Sequence, residues 1–498
     1  MIARLALLVL PLLALPTAAI ASNSWPDALP RAVTRTLDNG LEVILVPNNN
    51  NPLLEIQLGF RVGSGGDPLG REGTASLLGR LATAGLEGKT EQALARELAK
   101  MGAYISADVG LESFVLGGQV PTFDEPTVVA YLDLFARLVF ENPLPADVLE
   151  REKALRMGLL TSASDNAEAL VEVAARMVAL PGPWSRPTFG TTTSIPTLTR
   201  DDLLFYRDRV FAPSNAVLVI GGAFDERGLM AWIERRFGAW RSNVTTEAGT
   251  IPGRPARLCL EDAGQTRCVE NLVAKPPEAG SKRNVLVTVD DPNLSQVPYR
   301  LATRNPIAMS DPRWPAFRLG TFVLGGDFTS RLNQSLRVRE GLTYGAYFSP
   351  DFGGHASGAM MVSSDATPDA LLKAISIATT ELSQLVTTPI AHDELEMNRA
   401  MLIEGFAFKV ETFSKTVEQY LSLTLAGLPP TWLAGWRSSL RAPDAAAVSN
   451  AMSALTPDSL SVVVAGPASL EAELAKLGPV EVVSARDLLA SGLPVTSR

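Results

Sequence analysis

Alternating apolar and polar positions mark Leu41–Val46 and Ile56–Val62 as half-buried strands, joined by a turn-rich run in which Pro47 and Pro52 flank four asparagines. Residues 72–80 then fall on a helix. A second helix is predicted from near Thr90, with Leu94, Leu98 and Met101 along one face and Gly102 as its stop. Strands are predicted around Tyr104–Ala107 and Phe114–Val120, followed by long helices over about Thr127–Phe140 and Ala146–Thr161. The second half returns helices near Pro315–Leu324, Pro368–Leu385 and Ala391–Phe408. Strands, then helices, then a closing strand predict an α+β fold in which a mostly antiparallel sheet is covered by helices.

The same grammar appears twice because the chain repeats itself. The segment 142–150, Asn-Pro-Leu-Pro-Ala-Asp-Val-Leu-Glu, recurs as Thr-Pro-Ile-Ala-His-Asp-Glu-Leu-Glu at 388–396, which sets Pro143 and Pro389 246 positions apart. Ala212–Gly221 is echoed by Thr456–Gly466, with Pro213 and Pro457 244 positions apart. Two unrelated pairs at nearly one spacing imply a duplicated domain. The expected organisation is a first domain over 31–245, a Gly-, Pro- and charge-rich linker over 246–285, a second domain over 286–482 and a tail over 483–498.

A chain of 498 residues exceeds one ordinary core, and a composition 46% hydrophobic and 19% charged describes packed globular domains. The formal net charge of −9 argues against nucleic acid as a partner, since phosphate binding relies on a basic surface. The first 21 residues have the form of a secretion signal: Arg4, an apolar stretch from Leu5 to Leu15 broken by Pro11, and the small-x-small site Ala19-Ile20-Ala21. Export with cleavage before Ser22 is therefore expected, with the periplasm as the destination and no stable insertion into the membrane. In an oxidising compartment Cys259 and Cys268, nine positions apart around Glu261–Gly264, are expected to close a structural disulfide across a hairpin.

Candidate chemistry begins with what residues 72–80, Glu-Gly-Thr-Ala-Ser-Leu-Leu-Gly-Arg, do not contain. In context this segment resembles the zinc-binding helix of the M16 (pitrilysin-like) metallopeptidases, which carries His-x-x-Glu-His: two imidazoles bind zinc and the glutamate activates water. The three positions here are Ser76, Gly79 and Arg80. Serine is a poor zinc ligand, glycine offers no base and arginine adds a fixed positive charge. The third ligand in that family is a glutamate seven residues after another glutamate. Counting seven from Glu150 reaches Met157, whose thioether is also a poor ligand for zinc. The only histidines, His355 and His392, have no helical ligand spacing, and two cysteines are too few for a thiolate site. No metal is expected on this chain. Ser76 lacks a nucleophile-elbow context and a nearby histidine, so it is expected to fill former ligand space.

A second segment, Val323 to Gly345, resembles the C-terminal signature of the same family. There an arginine and a tyrosine seven residues later hold the substrate backbone near the metal. The matching residues are Arg337 and Tyr344, whose guanidinium and phenol suit a polarised carbonyl. Arg339 and Glu340 are expected to be a solvated pair. The resemblance, spanning about Arg31 to Val482, implies the non-catalytic subunit of a heterodimer in the B branch of the family. Each subunit there forms half of a clamshell, and the zinc and His-x-x-Glu-His belong to the partner. The competing expectation is a peptide-binding or scaffold protein without associated proteolysis; an enzyme of unconventional chemistry is a third.

Overall fold

The structure, a computed structural model, describes residues 31–180, 185–249, 255–262, 265–270, 282–291, 294–350 and 358–493. The expected signal segment and His355 lie outside the described residues.

The first half is built on a six-stranded sheet of β1 (Val33–Thr36), β2 (Glu42–Pro47), β3 (Leu53–Phe60), β4 (Tyr104–Val109), β5 (Phe114–Pro121) and β6 (Ala216–Gly222), in the order β1-β2-β6-β3-β5-β4. β3 and β6 are almost entirely buried because both faces of the sheet are covered; β6 reads as a continuous apolar run, whereas β3 carries buried Glu55 and Gln57 among its apolar residues. β4 alternates exposed and half-buried residues, as an edge strand with one wet face does. The pairing is antiparallel except between β2 and β6.

A short three-stranded sheet follows: β7 (Thr245–Ala248), β8 (Pro255–Asp262) and β9 (Gln265–Glu270). It lies largely within the stretch 246–285 that composition alone marks as a linker. Cys259 and Cys268 face one another in the β8–β9 ladder and are disulfide-bonded. Leu258 and Val269 beside them are buried in the core of the first half, so this small sheet is docked onto that domain.

The second half repeats the architecture with β10 (Asn284–Thr288), β11 (Val297–Arg304), β12 (Tyr347–Pro350), β13 (Ala359–Ala366), β14 (Ser461–Gly466) and β15 (Val480–Ser484). Its order, β12-β13-β11-β14-β10-β15, is that of the first sheet read from the opposite edge. β6 and β14, which carry the second echoed sequence pair, fill the same central place. The edges differ: β1 precedes β2 and runs antiparallel to it, whereas β15 comes from the end of the chain and pairs parallel with β10. The helices foreseen in both halves form close to their expected bounds, including Glu125–Glu141, Ala146–Ala163, Trp314–Gly325 and Leu371–Thr387. The last one predicted ends earlier: His392–Glu404 is α-helical and Gly405–Lys409 tightens into a 3₁₀ turn.

The halves are joined by an exchange of helices. Ala167–Ala179, from the first half, lies on the outer face of the second sheet, packing Leu170, Val171, Ala174 and Val178 among Val285, Val287, Met361 and Val463. Phe413–Leu425, from the second half, lies on the first sheet, packing Val417, Tyr420 and Leu421 against Ile44, Val46, Val217 and Val219. Gly59 and Gly221 make room for it: a Cβ on Gly59 would come within 2.8 Å of Leu421, and one on Gly221 within 2.5 Å of Val417. Each sheet is thus covered only by borrowing from the other half, which makes burial of the two outer faces a joint event.

The two exchanged contacts differ in charge. Under Ala167–Ala179, buried Arg300 donates to Glu168 and, at 3.1 Å, to Glu172. Under Phe413–Leu425 lies buried Glu55, which accepts from Gln57 at 2.7 Å. Burial raises the Glu55 carboxyl above its ordinary range, and Glu418 adds to the rise against hydrogen bonds from Ser414 and Gln57.

Candidate functional site

The helix Thr74–Leu81 brings Ser76, Gly79 and Arg80 to the helix Ala146–Ala163, which carries Met157. Its entry is fixed by two glycines. Gly73 has φ +93° and Gly190 φ +80°; a Cβ on Gly73 would lie 3.0 Å from the Cα of Gly190, so only glycines allow the two loops to pass so closely. That passage sets Phe189 beside the motif helix. Asp67, fully buried, accepts from the backbone N–H groups of Gly73 at 2.8 Å and Ala75 at 2.9 Å and closes the helix start. Burial pushes the Asp67 carboxyl up to about 8, although both backbone bonds oppose the shift.

Each motif position has acquired new packing. The hydroxyl of Ser76 accepts a hydrogen bond from Nη1 of Arg156 at 3.1 Å, and the same nitrogen donates to the Phe189 carbonyl at 3.3 Å. The Arg156 guanidinium carbon sits 5.1 Å from the centre of the Phe189 ring. Burial lowers the Arg156 pKa below the usual arginine range, with the Glu152 charge working against the shift. Gly79 lies under β4: a Cβ there would fall 2.7 Å from Cγ2 of Val109. Arg80 is paired with Glu91 at 2.5 Å and with buried Glu152 at 3.3 Å. Arg151 joins the same two carboxylates at 2.6 and 3.2 Å, so two cations and two anions form a closed cluster. Burial alone would raise Glu91, but its bonds to Arg80 and Arg151 outweigh that and hold it below the ordinary range. Met157 is half-buried against the first core.

These residues do not fit zinc. The side chains offered are a hydroxyl, a thioether and two guanidinium groups, and cations repel a metal ion where ligands should hold it. Among the described residues no group of three His, Cys, Asp or Glu side chains is placed to hold a metal, and His392 stands apart at the start of its helix.

The second site is in the other half. The turn of π-helix Asn333–Arg339 carries Arg337 outward, and Nη1 of Arg337 donates to the Tyr344 carbonyl at 2.6 Å. Its guanidinium carbon lies 4.5 Å from the centre of the Phe328 ring. The segment is anchored from below by buried Asn333, which donates to the carbonyls of Asp327 and Ala346 and accepts from the Ala346 N–H. Tyr344 is 79% exposed, and Phe328, whose ring lies beneath the Arg337 guanidinium, is exposed as well. Arg339 does not belong to a solvated pair with Glu340: it bonds Glu381 at 2.9 Å and Ser335, while Glu340 pairs with Lys373 at 2.5 Å. Sequence reasoning missed Arg156 and Phe189. Arg156 sits one position before Met157 and could have been flagged as a charge beside a vacant ligand position; Phe189 carried no signal.

The fold defines a duplicated two-domain α+β protein, and Ser76, Gly79, Arg80 and Met157, which the resemblance sets at the metal-ligand and base positions, offer no metal-binding side chain. The chain belongs to the M16 peptidase family: the model described as insulinase (peptidase family M16) matches residues 42–189, and that of the peptidase M16 inactive domain matches residues 197–402. A zinc protease of Mycobacterium tuberculosis, itself uncharacterized, is 25% identical over 387 residues, covering 77% of this chain and 81% of its own. The probable β subunit of the mitochondrial-processing peptidase of Schizosaccharomyces pombe is 26% identical over 212 residues, covering 42% and 46%. Among solved structures, a peptidase M16 inactive domain from Pseudomonas fluorescens superposes with a TM-score of 0.75 at 22% identity, covering 88% of this chain and 98% of that one. The periplasmic protease PqqL of Escherichia coli superposes at 0.67 with 13% identity, covering 90% of this chain and 49% of that chain.

Proposed function

We propose that this chain is the non-catalytic, substrate-binding subunit of a two-subunit M16 zinc peptidase of the B branch. The observation that carries the proposal is the contrast between the two sites. The positions that the resemblance assigns to metal ligands and base hold Ser76, Gly79, Arg80 and Met157, whereas exposed Arg337 bonds the carbonyl of exposed Tyr344 and lies over the exposed Phe328 ring. A partner bearing His-x-x-Glu-His supplies zinc and the activated water. Arg337 and Tyr344 hold the peptide backbone against that centre, where guanidinium and phenol donors favour a carbonyl that is gaining negative charge. The match to about half of the PqqL chain suits one half of a clamshell. The Cys259–Cys268 disulfide supports an exported, periplasmic protein, and among the described residues no helix is long and apolar enough to cross a membrane.

The test is affinity capture of the tagged protein from the exported fraction of its source cells, followed by mass spectrometry and peptide-cleavage kinetics of the recovered pair. A stoichiometric His-x-x-Glu-His subunit whose kcat/KM falls with Arg337→Ala is the expected result. Capture of no such subunit at low salt would replace this proposal with a scaffold role.

A further inference from the structure

We infer that the altered metal motif is a carboxylate-binding site, in which Arg156 and Ser76 receive a peptide carboxylate beside the Phe189 ring. Three observations lead there. First, Arg156 makes no direct ion pair with a described residue, although the Glu152 charge acts on it from a distance. The neighbouring cations Arg80 and Arg151 are neutralised by Glu91 and Glu152, but Arg156 has no carboxylate ion-pair partner among the described residues; its bonds go to the neutral oxygens of Ser76 and Phe189.

Second, the geometry leaves the right donors unused. Both bonds of Arg156 are made by Nη1, so its Nε–Nη2 edge makes no bond to a described residue, and this edge matches a carboxylate bidentately. Ser76 accepts from Arg156, and its own hydroxyl proton adds a third donor at the same spot. The Phe189 ring, the Phe189 carbonyl and Ser76 fix the guanidinium in place, so little side-chain freedom is lost on binding.

Third, the surroundings select a carboxylate on an apolar chain. Phe189 is 62% exposed, and Leu155 and Leu159, one helical turn apart beside Arg156, are 58% and 60% exposed. Two acidic residues, Glu91 and Glu152, lie in the adjoining cluster, and the whole chain carries −9, so a multiply charged phosphate is repelled more strongly than a single carboxylate. The ligand class, a peptide, rests on the function proposed above; the recognition of a carboxylate rests on Arg156 and Ser76 alone.

The carboxylate has two sources, the C-terminus of a peptide or an Asp or Glu side chain. Fluorescence anisotropy on the full single chain separates them with three labelled octapeptides: one ending in phenylalanine with a free acid, the same peptide as the C-terminal amide, and the amide with an internal glutamate. We expect the free acid to bind roughly tenfold more tightly than the amide, the scale of a charge-assisted bidentate bond. Arg156→Gln should erase that preference, Ser76→Ala should reduce it by about two- to threefold, and Arg156→Lys, which keeps the charge without the fork, should fall between wild type and Arg156→Gln. A glutamate peptide that binds as tightly as the free acid would assign the side chain as the source. Equal binding of all three peptides, or an acid preference that survives in folded Arg156→Gln, would overturn the site. Should Arg156→Gln fail to fold, Ser76→Ala and Arg156→Lys decide the matter. No partner subunit is present, so failure here is separate from failure of the two-subunit proposal.

Discussion

Arg80 in the first half and Arg337 in the second both lie in segments whose resemblance to family motifs singled them out, and they handle their charge in opposite ways. Arg80 is locked between Glu91 and Glu152, with Arg151 completing a neutral cluster. Arg337 has no carboxylate partner among the described residues: it bonds a backbone carbonyl and lies over an aromatic ring, with exposed Tyr344 alongside. A guanidinium already paired with carboxylates has little to gain from a ligand, whereas one held by neutral oxygens and a ring face keeps its electrostatic potential for an incoming group. The difference separates an arginine engaged in ion pairs from one that makes none, and Arg156 falls with Arg337 by the same criterion.

The largest expected effect is on cleavage by the assembled pair. Arg337→Ala should lower kcat/KM roughly a hundredfold, the scale of a lost transition-state donor, while Arg80→Ala should leave it within about twofold because that residue faces its own ion pairs. Comparable losses from both would break the comparison. Next comes an attempt to restore the motif. Gly79→Glu must displace Val109, which a Cβ would meet at 2.7 Å, so a stability loss of about 1–3 kcal/mol is expected in urea unfolding. The triple change Ser76→His, Gly79→Glu, Arg80→His should still fail to retain zinc in equilibrium dialysis, because Met157 does not replace the third ligand.

A smaller effect concerns pH. The Asp67 carboxyl, ordinarily near 3.8, is raised to about 8. A raised carboxyl contributes stability that is complete below the unfolded value and is lost as pH rises through the folded one. Wild type should therefore lose stability between about pH 4 and pH 8, and Asp67→Asn should flatten that part of the curve; an unchanged slope in the melting temperature of the variant would reject the raised value. The smallest effect expected is on the stability of Arg80→Ala, below about 1 kcal/mol, since its partly exposed pairs are screened and Arg151 remains on both carboxylates.

Much of the fold is legible along the chain because it rests on local periodicity. Leu94 and Leu98 are buried on one face of Glu91–Lys100, Thr90 caps that helix, and Gly102 leaves it at φ +65°. The echoed segments at 142–150 and 388–396 both lead into long helices, and β6 and β14 hold equivalent places. The exchanged helices Ala167–Ala179 and Phe413–Leu425 were not read from the sequence, for a physical reason. Their apolar faces identify helices, but no local pattern states that the sheet each covers belongs to the other half. Gly59 and Gly221 carry no local signal of the helix seated on them, because only the packed fold brings Leu421 and Val417 to their Cα atoms. Within the stretch read as a linker the disulfide-closed hairpin β8–β9 was expected, but the third strand β7 was hidden by a composition that also describes linkers.

By itself the sequence determined that no His-x-x-Glu-His run is present, that Arg337 and Tyr344 stand seven residues apart as the resemblance leads one to expect, and that the two halves echo each other. These follow from side-chain identity and spacing, which no folding can alter. The tertiary structure decided what replaced the lost chemistry. It brought Arg156 from a helix 80 positions downstream to the hydroxyl of Ser76, set Phe189 beside it by the close passage of Gly73 and Gly190, and closed Arg80 into a neutral cluster. Whether a charge is spent on a neighbour or left for a ligand depends on distances between residues remote in the chain, and only the packed fold fixes those.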